Sequence, residues 1–329
     1  SDSRVQQMLV AALQLELLAQ PESAQALDHS APHPETLSPQ LHTDLLEAQL
    51  IQATRITPWI APIALSRTQL DQLRHQARHL GQQEIADRCA LALFNGRWFS
   101  NESLAQLRTE LETEQAFLDQ SLSTERHTLQ HSATWLVQQL TQPSANRSVA
   151  NLSALLSPWE LVVQCALSYL LDQRANWPKL LALVEQTQAQ LSGLYAQTQL
   201  LLFASLMEAE LAAQGSPLDS HRLQQLWRHQ ARMQYWARLN PSGFCAQAAL
   251  LDAELSQLNG HPAEQIYERA LLACEKADCL GLTAITLERY SRYCRRRGLL
   301  TQARLLKADA QRYYQRWGAL ALLTDQQSH

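Results

Sequence analysis

Glycine is scarce in this sequence, which has nine glycines among 329 residues. Tight β-turns depend on glycine, so the scarcity argues against a β-rich fold. Hydrophobic residues make up 46% of the chain and charged residues 18%, as in folded proteins. Because a single core rarely exceeds roughly 250–300 residues, we expect either two subdomains or an elongated stack of helices.

Paired cysteines are also absent. The six cysteines lie far apart and form no C-x-x-C pair: Cys89, Cys165, Cys245, Cys274, Cys279 and Cys294. This spacing argues against a disulfide framework and a zinc knuckle. We therefore expect free thiols, most of them buried among apolar helical neighbours.

The sequence lacks the common catalytic motifs. It contains no G-x-x-x-x-G-K-[ST] loop, no G-x-G-x-x-G turn and no G-x-S-x-G elbow. Acidic residues such as Asp252, Glu254 and Glu264 are scattered singly, unlike the aspartate-rich clusters of all-helical terpene synthases. We expect no enzyme activity and no cofactor.

Membrane and nucleic-acid signals are weak. The apolar stretch from 9 to 19 is interrupted by Gln14 and Glu16 and is shorter than the ~20 residues of a membrane span. No signal-peptide pattern opens the sequence. The net charge of −4 argues against a chain-wide grip on nucleic acid or anionic membrane. These features predict a cytoplasmic chain.

Two histidine pairs have the i, i+4 spacing that can hold a metal ion, His75 with His79 and His127 with His131. Neither pair forms an H-E-x-x-H motif, and a metal site needs further ligands and their supporting partners. We interpret all four as surface histidines and predict no metal site.

The pattern of helices suggests a division of the chain. An amphipathic helix is predicted over 2–19, followed by a proline-containing loop over about 20–40. Further helices are predicted over about 41–55, 66–80, 82–94, 101–119 and 121–141, with Ser66 and Gln69 as a capping box. The polar, aperiodic run 142–150 then predicts a linker between an N-terminal helical subdomain, 1–141, and a C-terminal one, 151–329.

The C-terminal part has the features of helical hairpins. Helix starts recur around Pro158, Pro178, Pro217, Pro241 and Pro262, each in a predicted first turn. Apolar residues follow a 3.6-residue period through the last ninety residues. Two predicted hairpin turns, at Gly260 and Gly298, are 38 residues apart, close to the ~34-residue tetratricopeptide (TPR) repeat. The predicted fold is an all-α, TPR-like helical-hairpin solenoid.

Residues 226–323 resemble a known family through a series of motif residues: Trp236, Phe244, Gly260, Tyr267, Gly298 and the closing Tyr314-x-x-Trp317-Gly318-Ala319. The series is similar to the C-terminal end of the TPR-like region of large bacterial signalling proteins. There the region links an AAA- or STAND-type ATPase to a GAF, histidine kinase or diguanylate cyclase module. The resemblance implies an excised piece of a longer protein. It departs from the family at Leu320–Leu323, where a Lys-Val pair is common.

The last helices carry a strongly basic segment from Arg289 to Arg316. Three explanations of this segment are open. It forms a solvated helix face, it binds an acidic surface on a protein partner or on another domain of the same protein, or it binds nucleic acid. A preceding helix interleaves aromatic residues and arginines, and there Trp227 is the candidate for an exposed anchor. The predicted partner-binding residues are Trp227, Arg228, Arg232, Arg292, Arg296 and Arg304.

Two hypotheses of function follow from these observations. The first is a non-catalytic protein-interaction and signal-transmission scaffold, which docks a protein partner or another domain of the same polypeptide and binds neither nucleic acid nor membrane. The alternative is a small-molecule sensor with an apolar pocket between the helical subdomains. A closed apolar cavity would favour the sensor, and an open groove lined by aromatic and arginine side chains would favour the scaffold.

Overall fold

A computed structural model describes residues 39–98, 102–118, 124–142, 156–215 and 219–323. These residues form α-helices joined by short turns, with no β-strand among them, which confirms the all-α prediction. Several predicted features lie outside the described residues: the helix over 2–19, nearly all of the loop over 20–40, the linker after residue 142 and the helix start at Pro217.

The first six helices come from the N-terminal part of the chain. They are α1 (Pro39–Ile51), α2 (Thr57–Ile60), α3 (Ile63–His79), α4 (Gln83–Arg97), α5 (Leu104–Leu118) and α6 (Thr124–Thr141). A π-helical turn, Gln52–Ile56, joins α1 to α2 without a break. A smaller hydrophobic cluster between α1, α3 and α4 packs this end of the molecule.

The predicted capping box at Ser66 and Gln69 is wrong. Helix α3 begins earlier, at Ile63, directly after Pro62, whose extended backbone sets the helix start. The Ser66 hydroxyl donates instead to the backbone carbonyl of Ala53 at 2.6 Å. The Gln69 side chain accepts a hydrogen bond from Thr57 Oγ1 at 3.0 Å. Both side chains thus hold α3 against the preceding turn rather than capping it.

The C-terminal part contributes eight more helices. They are α7 (Pro158–Leu170), α8 (Trp177–Thr187), α9 (Ala196–Ala213), α10 (Ser220–Leu239), α11 (Pro241–Leu258), α12 (Glu264–Ala277), α13 (Leu280–Arg296) and α14 (Leu300–Trp317). Three short 3₁₀ turns accompany them, over Arg174–Asn176, Gln188–Leu191 and Leu320–Leu322.

Local sequence explains most of these helix ends. Ser157 and Glu160 form a capping box before α7, and the Asn240 side chain accepts from Gly243 N–H at the start of α11. Pro262 lies before α12 rather than in its first turn, because Ala263 is the N-cap residue. Gly260 and Gly298 have φ of 75° and 78°, so both predicted hairpin turns are confirmed.

Neighbouring helices in this part pack as pairs, most extensively α11 with α12 and α13 with α14. Helix α10 packs on α11, α12 packs on α13, and α9 contacts α7, α8, α10 and α11. The turn between α12 and α13 is made by Asp278, which adopts the left-handed conformation usual for glycine. As a result α9 and α13 are buried on most sides, whereas α10, α12 and α14 bury only one face.

The two parts of the chain share one large hydrophobic core, which includes residues from Leu91 to Ala319. Trp59 stacks on Phe244 with ring centroids 5.3 Å apart and also contacts Trp236. The buried Asn240 amide donates to the backbone carbonyls of Pro58 and Ala61, at 2.9 and 2.6 Å. The start of α11 is thereby attached to the N-terminal helices.

The end of α14 also meets the N-terminal part. Trp317 is fully buried, and Gly318 is the left-handed cap with φ of 88°, as the sequence predicted. Gly318 lies against the backbone of Leu104 at the start of α5, and the turn Leu320–Leu322 packs on α6. The final helix therefore has neighbours on both sides of the molecule.

Candidate functional site: a cleft and an exposed face on α10

A cleft of about 420 Å³ opens between α8, α9 and α10. Its walls are largely apolar, from Leu181 and Val184 on α8, Ala204 and Leu211 on α9 and Leu226 on α10. A volume of this size lies within the ~300–1,000 Å³ range of small-molecule pockets. It does not lie between the two predicted subdomains, as the sensor hypothesis expected, because all its lining residues belong to the C-terminal part.

Two ion pairs lie along the cleft. Arg222 Nε donates to Glu208 Oε1 at 3.1 Å, and the pair is partly buried. Burial raises the pKa of Glu208, and its pairing with Arg222 offsets that rise only in part. His221 Nε2 lies 3.0 Å from Glu185 Oε1, where both side chains are exposed. Each acidic side chain on the cleft wall therefore has a hydrogen-bonding partner beside it.

His229 forms part of the cleft wall and is only 8% exposed. Its Nδ1 atom lies 3.0 Å from Ser205 Oγ, while Ser205 Oγ donates its proton to the carbonyl of Leu201 at 2.7 Å. Nδ1 must therefore be the donor toward Ser205. Its Nε2 atom is buried and has no hydrogen-bond partner among the described residues.

The environment keeps His229 neutral. Burial, with a smaller contribution from the positive charge of Arg232, lowers the pKa of His229 to about 4. A neutral imidazole with its proton on Nδ1 presents an acceptor lone pair at Nε2. The Ser205–His229 contact is not a nucleophile pair, because Ser205 is fully buried and its proton is committed to a backbone carbonyl.

The opposite face of α10 is exposed and carries large apolar side chains. Trp227 is 43% exposed and Tyr235 52%, and Leu223 and Leu239 are also exposed, four residues before Trp227 and four residues after Tyr235. Large exposed apolar groups in one series mark interaction surfaces more often than isolated ones. The prediction that Trp227 is exposed is thus confirmed.

Helix α10 is also basic. It contains four arginines and no carboxylate. Arg222 is paired with Glu208, but Arg228, Arg232 and Arg238 are exposed and form no ion pair with any carboxylate that the structure describes. Arg228 and Arg232 lie seven and three residues before Tyr235 and share its side of the helix, whereas Trp227 projects about 100–140° away from them.

The other predicted partner-binding arginines lie elsewhere. Arg292 is partly buried, with its guanidinium 2.7 Å from Glu288 and 3.4 Å from Glu210. Arg296 is exposed and donates to Gln257, and Arg304 is exposed on α14. Their helices, α13 and α14, make no extensive contact with α10. The structure does not bring the six residues into one surface.

Arg289 corrects the interpretation of the basic segment, because it is not part of a solvated face. It is fully buried and donates through Nε to Glu254 Oε1 at 2.8 Å, and it also pairs with Glu210. Tyr267 completes the cluster by donating to the same Glu254 oxygen at 2.6 Å. Nothing in the sequence indicated this cluster, because its arginine is one of many in the basic segment, its acids are scattered, and no local motif connects them.

The buried cluster shifts the acidity of its members. Burial raises the pKa of Glu210, but Arg289 and Arg292 outweigh that effect and bring it to about 2. Burial also raises the pKa of Tyr267, and the adjacent Glu254 carboxylate raises it further. The Glu210 carboxylate is therefore ionised and the Tyr267 phenol is neutral. The cluster is a structural tie between α9, α11, α12 and α13.

The remaining predicted motif residues are packing residues. Trp236, Phe244 and Tyr267 are buried, and Tyr267 stacks on Tyr290 with centroids 5.0 Å apart. The four histidines of the i, i+4 pairs are exposed. Within the described residues, no three His, Cys, Asp or Glu side chains are grouped so as to hold a metal ion. The cysteines are free, and all but Cys245 are buried.

Comparison with known proteins adds no relatives. No protein-family model matches the chain, and neither a curated protein nor a solved structure is significantly similar to it. In the part of the chain that the structure describes, no helix is both long enough and apolar enough to cross a bilayer.

Proposed function

We propose that this chain is a non-catalytic interaction module that docks an acidic protein surface, on a partner or on another domain of the same polypeptide, along the exposed face of α10. The observation that carries the proposal is the series Leu223, Trp227, Tyr235 and Leu239, left uncovered on a helix whose other face is firmly packed. Tryptophan, tyrosine and arginine together are the residues most enriched at interaction hot spots.

Charge specifies the kind of partner. Three exposed arginines flank the apolar series without a carboxylate partner in the described residues. Each would gain a charge-assisted hydrogen bond from an aspartate or glutamate of the partner. An acidic amphipathic helix or loop satisfies both the apolar series and the arginines. We narrow the predicted interface to Trp227, Arg228 and Arg232, since Arg292 is already engaged by Glu210 and Glu288.

The finer architecture is part of the same proposal. We interpret α9 to α14 as a TPR-like stack, on the basis of the successive helix pairs and the glycine turns at Gly260 and Gly298. Such stacks offer extended surfaces for protein partners. The resemblance of residues 226–323 to bacterial signalling proteins adds a role in transmitting a signal, with Trp317 and Gly318 at the junction to an output module.

The test is site-specific cross-linking in the source organism. A photo-reactive phenylalanine analogue replaces Trp227 in one variant and Leu305 in the other. Leu305 is an even more exposed apolar residue, on α14. We expect a discrete cross-linked protein or domain from position 227 and none from position 305. The captured partner is then purified for binding measurements.

Binding by the purified partner decides the proposal. Trp227→Ala and Arg232→Glu are each expected to weaken binding by about tenfold or more, the effect of a hot-spot residue. Leu305→Ala should leave the affinity unchanged. Failure to cross-link specifically at 227, or equal binding by wild type and Trp227→Ala, would reject α10 as the docking surface.

A further inference from the structure

The cleft between α8, α9 and α10 has a polar group that the fold leaves unsatisfied. The Ser205 proton is donated to Leu201, so the His229 proton lies on Nδ1 and Nε2 is left with a lone pair. No described residue donates to this Nε2 atom. Native proteins keep few buried acceptors without a donor, so each one calls for an explanation.

The groups around His229 hold it in the accepting form. Arg232 is on its own helix, and Ser205 faces it from α9. The cleft's other titratable groups are Glu208, Arg222, His221 and Glu185; Arg222 pairs with Glu208, and His221 lies beside Glu185. The lowered pKa of His229, about 4, leaves the ring neutral at any pH near 7.

We propose that the cleft binds a small uncharged ligand that has an apolar body and one O–H or N–H group, and that this group donates a hydrogen bond to His229 Nε2. The apolar body would contact Leu181, Val184 and Leu226. The ligand is uncharged because Arg222 and Glu208 pair with each other and Glu185 has His221 and Gln225 beside it, so an ion would lose its hydration without gaining a free counterion. The volume accommodates a molecule of small-drug size.

The approach to Nε2 needs a small movement. The ring is slightly exposed, but the Nε2 atom itself is covered. Side-chain adjustments of the size common at binding sites would admit the donor. The cleft lies on the other side of α10 from the exposed Trp227.

A matched pair of probes tests the hydrogen bond. 4-Propylphenol and 4-propylanisole share an apolar body, and they differ in that the phenol O–H is replaced by a methyl ether. We expect the full chain to bind the phenol about tenfold more tightly, the difference of about one buried hydrogen bond. In protein labelled with ¹⁵N-histidine, the Nε2 resonance of His229 should move upfield with the phenol and remain unchanged with the ether.

Variants at His229 distinguish loss of the hydrogen-bond acceptor from loss of the fold. His229→Asn keeps a hydrogen-bonding group near the Nδ1 position but has none at Nε2, so its affinity for the phenol should fall about tenfold to that for the ether. His229→Gln reaches the Nε2 position and should retain most of the binding. His75→Asn changes an exposed histidine on α3, outside the cleft, and should have no effect. Circular dichroism confirms that each variant is folded.

The outcomes are decisive in both directions. Stronger binding of the phenol, with loss in His229→Asn and recovery in His229→Gln, would establish the site. Equal binding of phenol and ether, binding of neither, or phenol binding that survives His229→Asn would overturn the proposal. The ¹⁵N resonance excludes a purely structural effect of the substitution, because it reports a donor arriving at Nε2 in the wild-type protein.

Discussion

Helices α13 and α10 are similar in length but differ in how neighbouring helices cover them. Most residues of α13 are buried, including the polar Thr286, Arg289 and Ser291. Helix α10 buries only Leu226, His229, Met233 and Trp236, and it leaves arginines and aromatic residues in solvent. The same residue type, arginine, thus has a structural role on α13 and is available for a partner on α10.

This difference shows that a charged residue in the sequence does not by itself mark a position on the protein surface. An arginine can be buried only where carboxylates meet it, since an unpaired buried charge is strongly unfavourable. Glu210 and Glu254 supply that condition for Arg289, from two helices that are distant in sequence. No carboxylate of the described residues does so for Arg228 or Arg232. The unpaired arginines therefore mark the candidate interface.

The largest expected effect comes from removing the buried cation of α13. Arg289→Met leaves the Glu210 and Glu254 carboxylates buried near each other, and it should lower the free energy of unfolding by about 3–5 kcal/mol. Chemical denaturation at pH 7 measures the loss. The control is Arg304→Met on the exposed face of α14, which should change stability by less than about 0.5 kcal/mol.

Lowering the pH should reduce the difference in free energy of unfolding between wild type and Arg289→Met. Without the guanidinium, the pKa of Glu210 is less depressed below its unfolded value, so the variant loses less stability than wild type as pH falls toward 4.5. The wild type, with Glu210 at a pKa of about 2, shows the steeper loss. A deficit that stays constant from pH 7 to 4.5 would show that the carboxylates find other partners.

A glycine on α13 allows a second test of how tightly this helix is packed, with a smaller expected change in stability. A Cβ atom added to Gly281 would lie 3.0–3.2 Å from three ring atoms of the fully buried Trp317. Gly281→Ala should therefore destabilise the protein by about 2 kcal/mol through overpacking. In an open helix position the same change would instead stabilise, by reducing backbone entropy.

Two comparisons isolate the indole as the cause. In Gly96→Ala on α4, the added methyl would meet the side chain of Arg67, which can move, so the loss should be much smaller or reversed. In a Trp317→Leu background, Gly281→Ala should lose most of its effect. Thermal unfolding of wild type, the three single variants and the double variant gives the comparison. Stabilisation by Gly281→Ala would contradict the close contact.

Periodic apolar residues made most of the fold predictable. The helices from α10 onward, the Gly260 and Gly298 turns and the buried Trp317 with its Gly318 cap all follow from local patterns. The position of α3 did not, because Ser66 resembles an N-cap, but its hydroxyl is bonded to a carbonyl that the tertiary fold brings near. Asp278 was also missed as a turn residue, since glycine is the usual signal for a left-handed cap.

The candidate site was only partly predictable. Exposure of Trp227 follows from its helix phase, since it lies about 100° from the buried Leu226. The sequence did not identify His229 as a site residue, because it is a single histidine in an arginine-rich helix. Its role depends on Ser205, 24 residues away on another helix. The Arg289 cluster escaped prediction for the same reason, because its carboxylates are 35 and 79 residues away.

The smallest expected effect concerns the one histidine on the buried face of α10. The pKa of His229 is about 4 in the folded chain, against an ordinary value of 6.5. Between these values the unfolded chain binds a proton that the folded chain does not, so stability is complete above about pH 6.5 and is lost as pH falls. From pH 7.5 to 5.5 the loss of stability from this group should be about 1 kcal/mol.

Urea denaturation of wild type and His229→Gln at both pH values measures this loss as a change in the stability difference between the two proteins. Glu208, whose pKa is raised, titrates in both proteins and cancels in that difference. Gln224→Ala, an exposed change on the same helix that removes no titratable group, serves as the control, and its stability difference from wild type should not change toward acid. A wild-type advantage that persists undiminished at pH 5.5 would mean that His229 is protonated in the folded chain, and then its Nε2 would be a donor and not an acceptor.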